Sequence, residues 1–186
     1  MEKFSRIKPQ EKLNKEEMLF KGEGFKVVQF EEWPIIDRKD FVICIPYLME
    51  QNSFIIREEY IPSYKYKEGQ QMHLACVGGR IEKGETPEQA LIRELQEEAG
   101  IVLRDGYKLE FDKPLFVGKE STQKFHPCIL PLMEKDYDEI TIHGDGSLLE
   151  KMSNTAKVEK RYLPSMLPSN VITEFMLLKL KNFLNL

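Results

Sequence analysis

The stretch Gly78–Ile101, GGRIEKGETPEQALIRELQEEAGI, decides how the rest of the chain is read. It sets Gly79, then after five residues Glu85, then after seven more Arg93, Glu94, an aliphatic Leu95, Glu97, Glu98 and Gly100, closed by Ile101. The order of residue types predicts a loop running into a helix. Thr86 can cap that helix and Gln89 can complete a capping box. Pro87 suits the first helical position, where its missing N–H would be unpaired anyway, and Gly100 ends the helix. On a 3.6-residue period, Leu91, Ile92, Leu95 and Ala99 make an apolar stripe expected to pack. Glu94, Glu97 and Glu98 fall roughly on the opposite side, with Arg93 at its edge. Most acidic helix faces are simply solvated. Here the loop argues otherwise, because glycines and acids at this spacing coincide by chance only about once in a million.

These residues resemble a complete Nudix box, with no departure at any of its fixed positions. The resemblance implies an α/β fold, an α/β/α sandwich around a mixed central sheet. It also implies hydrolysis of a nucleoside diphosphate linked to another moiety, with Mg²⁺ or Mn²⁺. Hard cations take several oxygen ligands and usually keep some water, so clustered carboxylates with substrate phosphates suit them. Glu94, Glu97 and Glu98 are the expected ligands, Glu98 the most central, with the carbonyl of Gly79 and the carboxylate of Glu82 as further candidates. By the same resemblance, Glu85 and Arg93 form a charge-paired clamp fixing the loop on the helix. Such a pair orients rather than reacts. The general base is expected from a later loop, at Glu150 or Glu139. Without a cation the clustered carboxylates would repel one another and hold protons, which predicts metal dependence.

The whole chain has 186 residues, 41% of them hydrophobic, enough for one substantial core. We expect an N-terminal arm with strands over residues 1–40 and the catalytic domain over 41–186. Net charge is −4, from 27 basic and 31 acidic residues, which advertises no bulk attraction to nucleic acid or an anionic membrane. Cys44, Cys76 and Cys128 are odd in number, widely spaced and set among apolar residues, which fits reduced core thiols. The start, MEKFSRIKPQEKLNKEE, is too charged for a secretory signal, and no run approaches the roughly 18 apolar residues that cross a bilayer. The expectation is a cytoplasmic protein.

Along the chain, residues 1–18 read as a loosely docked arm, and FKGEGFKVVQF as a strand after a glycine turn. Trp33, the only tryptophan, is either a packing anchor or an aromatic platform for a base. FVICIPY (41–47) and SFIIR (53–57) read as a core hairpin, and HLACV (73–77) as the strand that delivers the box. Later come two strands around the loop Gly118–Lys124, an acidic turn-rich run, a strand in AKVEKRYLP, and a final helix. Ser169 or Asn170 caps that helix, in which Val171, Phe175, Leu178 and Phe183 recur at helical spacing.

Within the family, the chain is similar to ADP-ribose pyrophosphatases in its N-terminal strands and in REEYIP, where Arg57, Tyr60 and Pro62 fit. Glu59 stands where Gln is usual, Ile61 where Arg is common, and Ala75 and Val77 where Glu and Pro precede the box. That likeness implies a substrate such as ADP-ribose or a nucleotide sugar, held by Trp33, Arg57, Tyr60, Ser121 and Lys124, with Thr122 beside them, in a homodimer. His73 and His126 are more simply structural. Other open readings are a dinucleoside polyphosphate, NADH, modified nucleotide or capped RNA as substrate, and a nucleotide sensor that does not turn over its ligand.

Overall fold

The computed structural model describes residues 16–69, 72–144, 146, 151–168 and 170–186, which form two compact units. The first contains residues up to Lys39 together with Phe116–Gln123, and the second contains Asp40–Leu115 and Lys124–Leu186.

The first unit is an antiparallel three-stranded meander of β1 (Glu16–Gly22), β2 (Phe25–Phe30) and β3 (Trp33–Arg38). Gly24, at φ 76°, makes the tight turn between β1 and β2 that KGEG announces. The one strand read in FKGEGFKVVQF is corrected to two, parts of β1 and β2 on either side of this turn. Pro34 does not exclude β3, because β3 is an edge strand, where a missing N–H costs no ladder bond. The returning segment is tied to β3 through Thr122: its N–H donates to the Ile36 carbonyl, and its hydroxyl donates to Asp37 (2.6 Å) and accepts from the Arg38 N–H. Val28 is buried, whereas Met18, Phe20, Phe30 and Trp33 are each at least half exposed.

In the second unit, β4 (Phe41–Leu48) and β5 (Ser53–Tyr60) are joined by a turn and followed by α1 (Pro62–Glu68), β6 (Met72–Ala75) and β7 (Val77–Arg80). Next come α2 (Pro87–Ala99) and β8 (Ile101–Leu103), and the chain passes to the first unit within β9 (Leu115–Phe116). It returns as β10 (Lys124–Leu132), β11 (Tyr137–Glu139) and β12 (Asn154–Glu159), a 3₁₀ turn at Lys160–Ser165, and α3 (Val171–Phe183). The mixed sheet runs β12–β5–β4–β10, with β6 on β5 and β7 on β4. β4 and β10 are parallel, Phe41 opposite Phe125 through Leu48 opposite Leu132, and the other pairings are antiparallel.

Both faces of this sheet are covered, which is why FVICIPY is apolar at nearly every position instead of alternating. Val42 and Cys44 pack with Leu91 and Leu95 of α2, and Ile43 and Ile45 pack with Met176, Leu177 and Leu180 of α3. The result is the expected α/β/α layering. All three cysteines are buried and free. Among the described residues no helix is long and apolar enough to cross a membrane.

Four local expectations need correction. HLACV is not one strand, since β6 and β7 break at Cys76 and pair with different neighbours. The strand read in SFIIR does not stop at Arg57, because β5 continues through Tyr60 and Pro62 starts α1. On α2, Ile92 is 38% exposed, while Glu94 and Glu98 turn inward with Ala90, Leu91 and Leu95. On α3, Val171, Leu178 and Phe183 face outward, and Thr173, Met176, Leu177 and Leu180 are buried. That helix is apolar almost all round, so periodicity could not choose its inner face. Asn170 decides it, capping the helix through the Thr173 N–H (2.7 Å) while its amide donates to the Leu74 carbonyl (3.0 Å). Ser169 lies outside the described residues.

Candidate active site

The box loop leaves β7 and enters α2 through the capping box that the sequence announces: the Gln89 N–H donates to the Thr86 hydroxyl, and the Thr86 N–H to the Gln89 side chain. Gly100, at φ 63°, closes the helix in the left-handed region. Gly79 has no room for a side chain, since a Cβ there would overlap the Glu94 carboxylate. Loop and helix therefore meet at van der Waals distance, with acid against bare backbone.

Arg93 joins the parts. Its Nε and Nη2 bond both oxygens of Glu85 (2.9 and 3.2 Å), and Nη1 reaches Glu94 (2.6 Å) and Glu97 (3.1 Å). Nη2 also donates to the Arg80 carbonyl (3.0 Å), and the Glu82 N–H donates to Glu85 (2.8 Å). A planar fork with fixed donors suits this shared role better than a lysine would. One guanidinium thus faces three carboxylates, so negative charge remains in surplus.

Glu98 is set deeper, 6% exposed. Its Oε2 accepts from the Gly78 N–H (2.8 Å), and its Oε1 lies 3.2 Å from Nη2 of Arg57, itself 1% exposed. Burial pushes the Glu98 carboxyl up to about 9, against the lowering pull of Arg57 and the Gly78 N–H, and the neighbouring Glu94 adds to the rise.

Among the described residues no three Asp, Glu, His or Cys side chains already converge on one point: Glu94 and Glu97 lean on Arg93, and Glu98 on Gly78 and Arg57. The donor chemistry nevertheless fits a hard divalent cation. The donors are carboxylate oxygens, two of the acids are buried, and the only buried Arg or Lys among the described residues is Arg57. Glu94, Glu97 and Glu98 could hold such an ion, with the backbone of Gly79 beside them.

The other candidates are scattered. Arg57 is not available to a substrate, because it is enclosed by Glu98, Glu59 (3.6 Å) and Thr155 (3.3 Å). Tyr60 ends β5, half-buried, with the Lys65 ammonium 5.9 Å from its ring centre. Lys124 opens β10, and its N–H donates to Asp40 (2.8 Å). Glu139 is exposed and ion-paired with Lys157 (3.0 Å). Glu150 lies outside the described residues. The Glu82 side chain is at the surface of the box loop. His73 is buried edge-on to the Tyr64 ring, and His126 lies 3.6 Å from Asp40. Trp33 and Ser121 belong to the first unit, where Trp33 is 56% exposed with the Lys119 ammonium 5.4 Å from its ring centre, and the Ser121 hydroxyl accepts from the Gln123 N–H. Thr155 was not anticipated at all. Its hydroxyl donates to the Glu98 carbonyl (2.6 Å), a contact between residues 57 positions apart with no local signal.

A mixed sheet between two helices, with its acids on one loop–helix element, defines a class of α/β/α proteins. The chain belongs to the Nudix family: the NUDIX domain pattern matches residues 38–146. It is similar to the 8-oxo-dGTP diphosphatase of Escherichia coli K12, at 43% identity over 67 residues, covering 32% of this chain and 52% of that protein. It is likewise similar to the 8-oxo-dGTP diphosphatase of Haemophilus influenzae Rd, at 52% identity over 52 residues, covering 26% of this chain and 38% of that protein. The alignments therefore span about half or less of these relatives. Among solved structures, an ADP compounds hydrolase superposes with a TM-score of 0.64 at 18% identity, covering 95% of this chain and 97% of that one, a likeness of fold.

Proposed function

We propose that this protein hydrolyses the diphosphate bridge of a nucleoside diphosphate derivative, ADP-ribose or a nucleotide sugar, to a nucleoside monophosphate and a phosphorylated remainder. The observation that carries this is the acidic loop–helix: Glu94, Glu97 and Glu98 beside bare glycine backbone, two of the three buried. In the reaction, water adds at one phosphorus, the P–O–P bridge breaks on the far side, and the water's proton passes to a carboxylate. Glu94, Glu97 and Glu98 would hold Mg²⁺ or Mn²⁺. When bound, such an ion neutralises phosphate charge and lowers the pKa of bound water. Arg93 and Glu85 keep the loop in register with the helix and do not react. Glu139 is committed to Lys157, which leaves Glu98 and Glu150 as the proton acceptors we favour.

A second reading, 8-oxo-dGTP or another modified nucleotide as substrate, is favoured by the identity to the two 8-oxo-dGTP diphosphatases. A panel with Mg²⁺ separates them: ADP-ribose, a nucleotide sugar, 8-oxo-dGTP, a dinucleoside polyphosphate and NADH. ADP-ribose or the sugar nucleotide is expected to lead in kcat/KM by at least about tenfold, or ~1.4 kcal/mol of transition-state binding. A lead for 8-oxo-dGTP would select the second reading, and binding of any of them without turnover would make the protein a sensor.

We also propose a homodimer, supported by the exposed Met18, Phe20, Phe30 and Trp33 on the β1–β3 meander. Light scattering should report the mass of two chains. A single-chain mass at micromolar concentration would refute it.

A further inference from the structure

We propose that Arg57 is a positioning residue that sets Glu98 for the reaction through contacts to both the carboxylate and the backbone of that one residue. This rests on the reading of Glu98 as a cation-holding acid.

Arg57 lies in the middle of β5, opposite Ala75 of β6 on one side and Thr155 of β12 on the other, so its backbone is fixed on both edges. Its side chain is 1% exposed and cannot meet a ligand in solvent. Instead Nη2 lies 3.2 Å from Oε1 of Glu98, and Nη1 donates to the Glu98 carbonyl (3.4 Å) and to the Thr155 hydroxyl (3.3 Å). Thr155 in turn donates to the same carbonyl (2.6 Å).

That carbonyl belongs to the last turn of α2, whose final four carbonyls have no partner inside the helix and carry the negative end of its dipole. A buried cation and a hydroxyl supply what the helix lacks. The other carboxylate oxygen, Oε2, is held by the Gly78 N–H at 2.8 Å. Glu98 is thereby gripped at three points: its carbonyl by β5 and β12, Oε1 by β5, and Oε2 by the start of the box.

A carboxylate offers about four lone-pair positions. Each oxygen gives one to its grip, so the plane of the group is set from both sides and one position on each oxygen is left for a cation. Partners that fix the plane of a ligating carboxylate typically matter 10–100-fold for metal affinity or activity. Lysine cannot replace this grip, since a single ammonium cannot reach carboxylate, carbonyl and hydroxyl in the flat arrangement of the guanidinium.

The test uses the full chain with Arg57→Lys, Glu98→Gln and the double variant, each first checked for folding by circular dichroism. Mn²⁺ affinity is measured by electron paramagnetic resonance without substrate, and kcat and KM are measured with the best diphosphate of the panel. Arg57→Lys is expected to weaken Mn²⁺ binding and lower kcat by about 10–100-fold with KM within about threefold. In the Glu98→Gln background the same change should alter Mn²⁺ affinity less than about twofold, because the group it acts through is gone. Wild-type kcat and Mn²⁺ affinity in Arg57→Lys would overturn the proposal, as would equal losses in both backgrounds. A rise in KM alone would also overturn it, and would mean direct substrate contact. If Arg57→Lys does not fold, Thr155→Val removes the shared hydroxyl, and weakened Mn²⁺ binding that vanishes with Glu98→Gln carries the same meaning. Failure of the underlying hydrolase reading looks different: Glu98→Gln itself would then leave Mn²⁺ binding and turnover unchanged.

Discussion

Glu98→Gln is expected to lower diphosphate hydrolysis by about 10²–10⁴-fold, the range for losing a positioned acid or base, while the protein stays folded. The amide keeps the shape of the carboxyl in a site that is 6% exposed, and it can still accept from the Gly78 N–H. What it loses is the ability to ionise and offer a charged oxygen to a cation.

The same change carries a stability signature. In the folded, cation-free protein burial pushes this carboxyl up to about 9, whereas in an unfolded chain a glutamate titrates near 4.3. The folded state thus binds the proton more tightly, and its stability falls as pH rises from the unfolded value toward about 9. Glutamine does not titrate. In a chelator, therefore, the variant should melt above wild type, by a margin that grows from pH 5 to pH 8.5. Added Mg²⁺ should raise the wild-type melting temperature more than the variant's. A variant that hydrolyses at the wild-type rate, or that melts below wild type in chelator at pH 8.5, would remove Glu98 from the centre of the site.

Adjacent glycines are expected to fail in different ways. Added at Gly78, a Cβ would drive into the Val42 carbonyl and lie 2.8 Å from the Ile43 Cα, backbone atoms of a central strand that cannot yield. Gly78→Ala should lower the melting temperature by roughly 5–10 °C, from the cost of overpacking and the size of the chain. At Gly79 the obstacle is the far end of the Glu94 side chain, which can swing aside. Gly79→Ala should therefore melt within about 2 °C of wild type yet lose about 10²-fold in kcat, because the acid it displaces would hold the cation. Thermal melts read beside initial rates decide it. If Gly79→Ala is the unstable variant, or keeps full activity, the close approach of loop and acid has no part in the chemistry.

Much of this site was legible because it is local. Thr86, Pro87, Gln89 and Gly100 bound α2 by interactions within a few residues, so their order predicts the helix and its ends. Glu85 and Arg93, the clamp that the family resemblance implies, are eight positions apart on the same loop–helix element. Periodicity misled where the environment decides. Glu94 and Glu98 share the inward face of α2 with Leu91 and Leu95, at spacings of three, four and seven, yet their charge made solvent the natural expectation. A helix carries its stripe but not its partner, and here the partner is a sheet whose β5 supplies a buried cation.

By itself the sequence determined the chemistry offered: oxygen donors at fixed intervals, glycines where backbone must come close, and a cap at each end of the helix that carries the acids. These follow from short-range sterics and hydrogen bonding, which adjacent residues settle among themselves. Only the tertiary structure decided that Arg57 is buried against Glu98, and that Thr155 closes the last turn of α2. Those contacts span 41 and 57 positions of chain. Strand order and register brought them together, and both are set by the two-sided burial of the sheet.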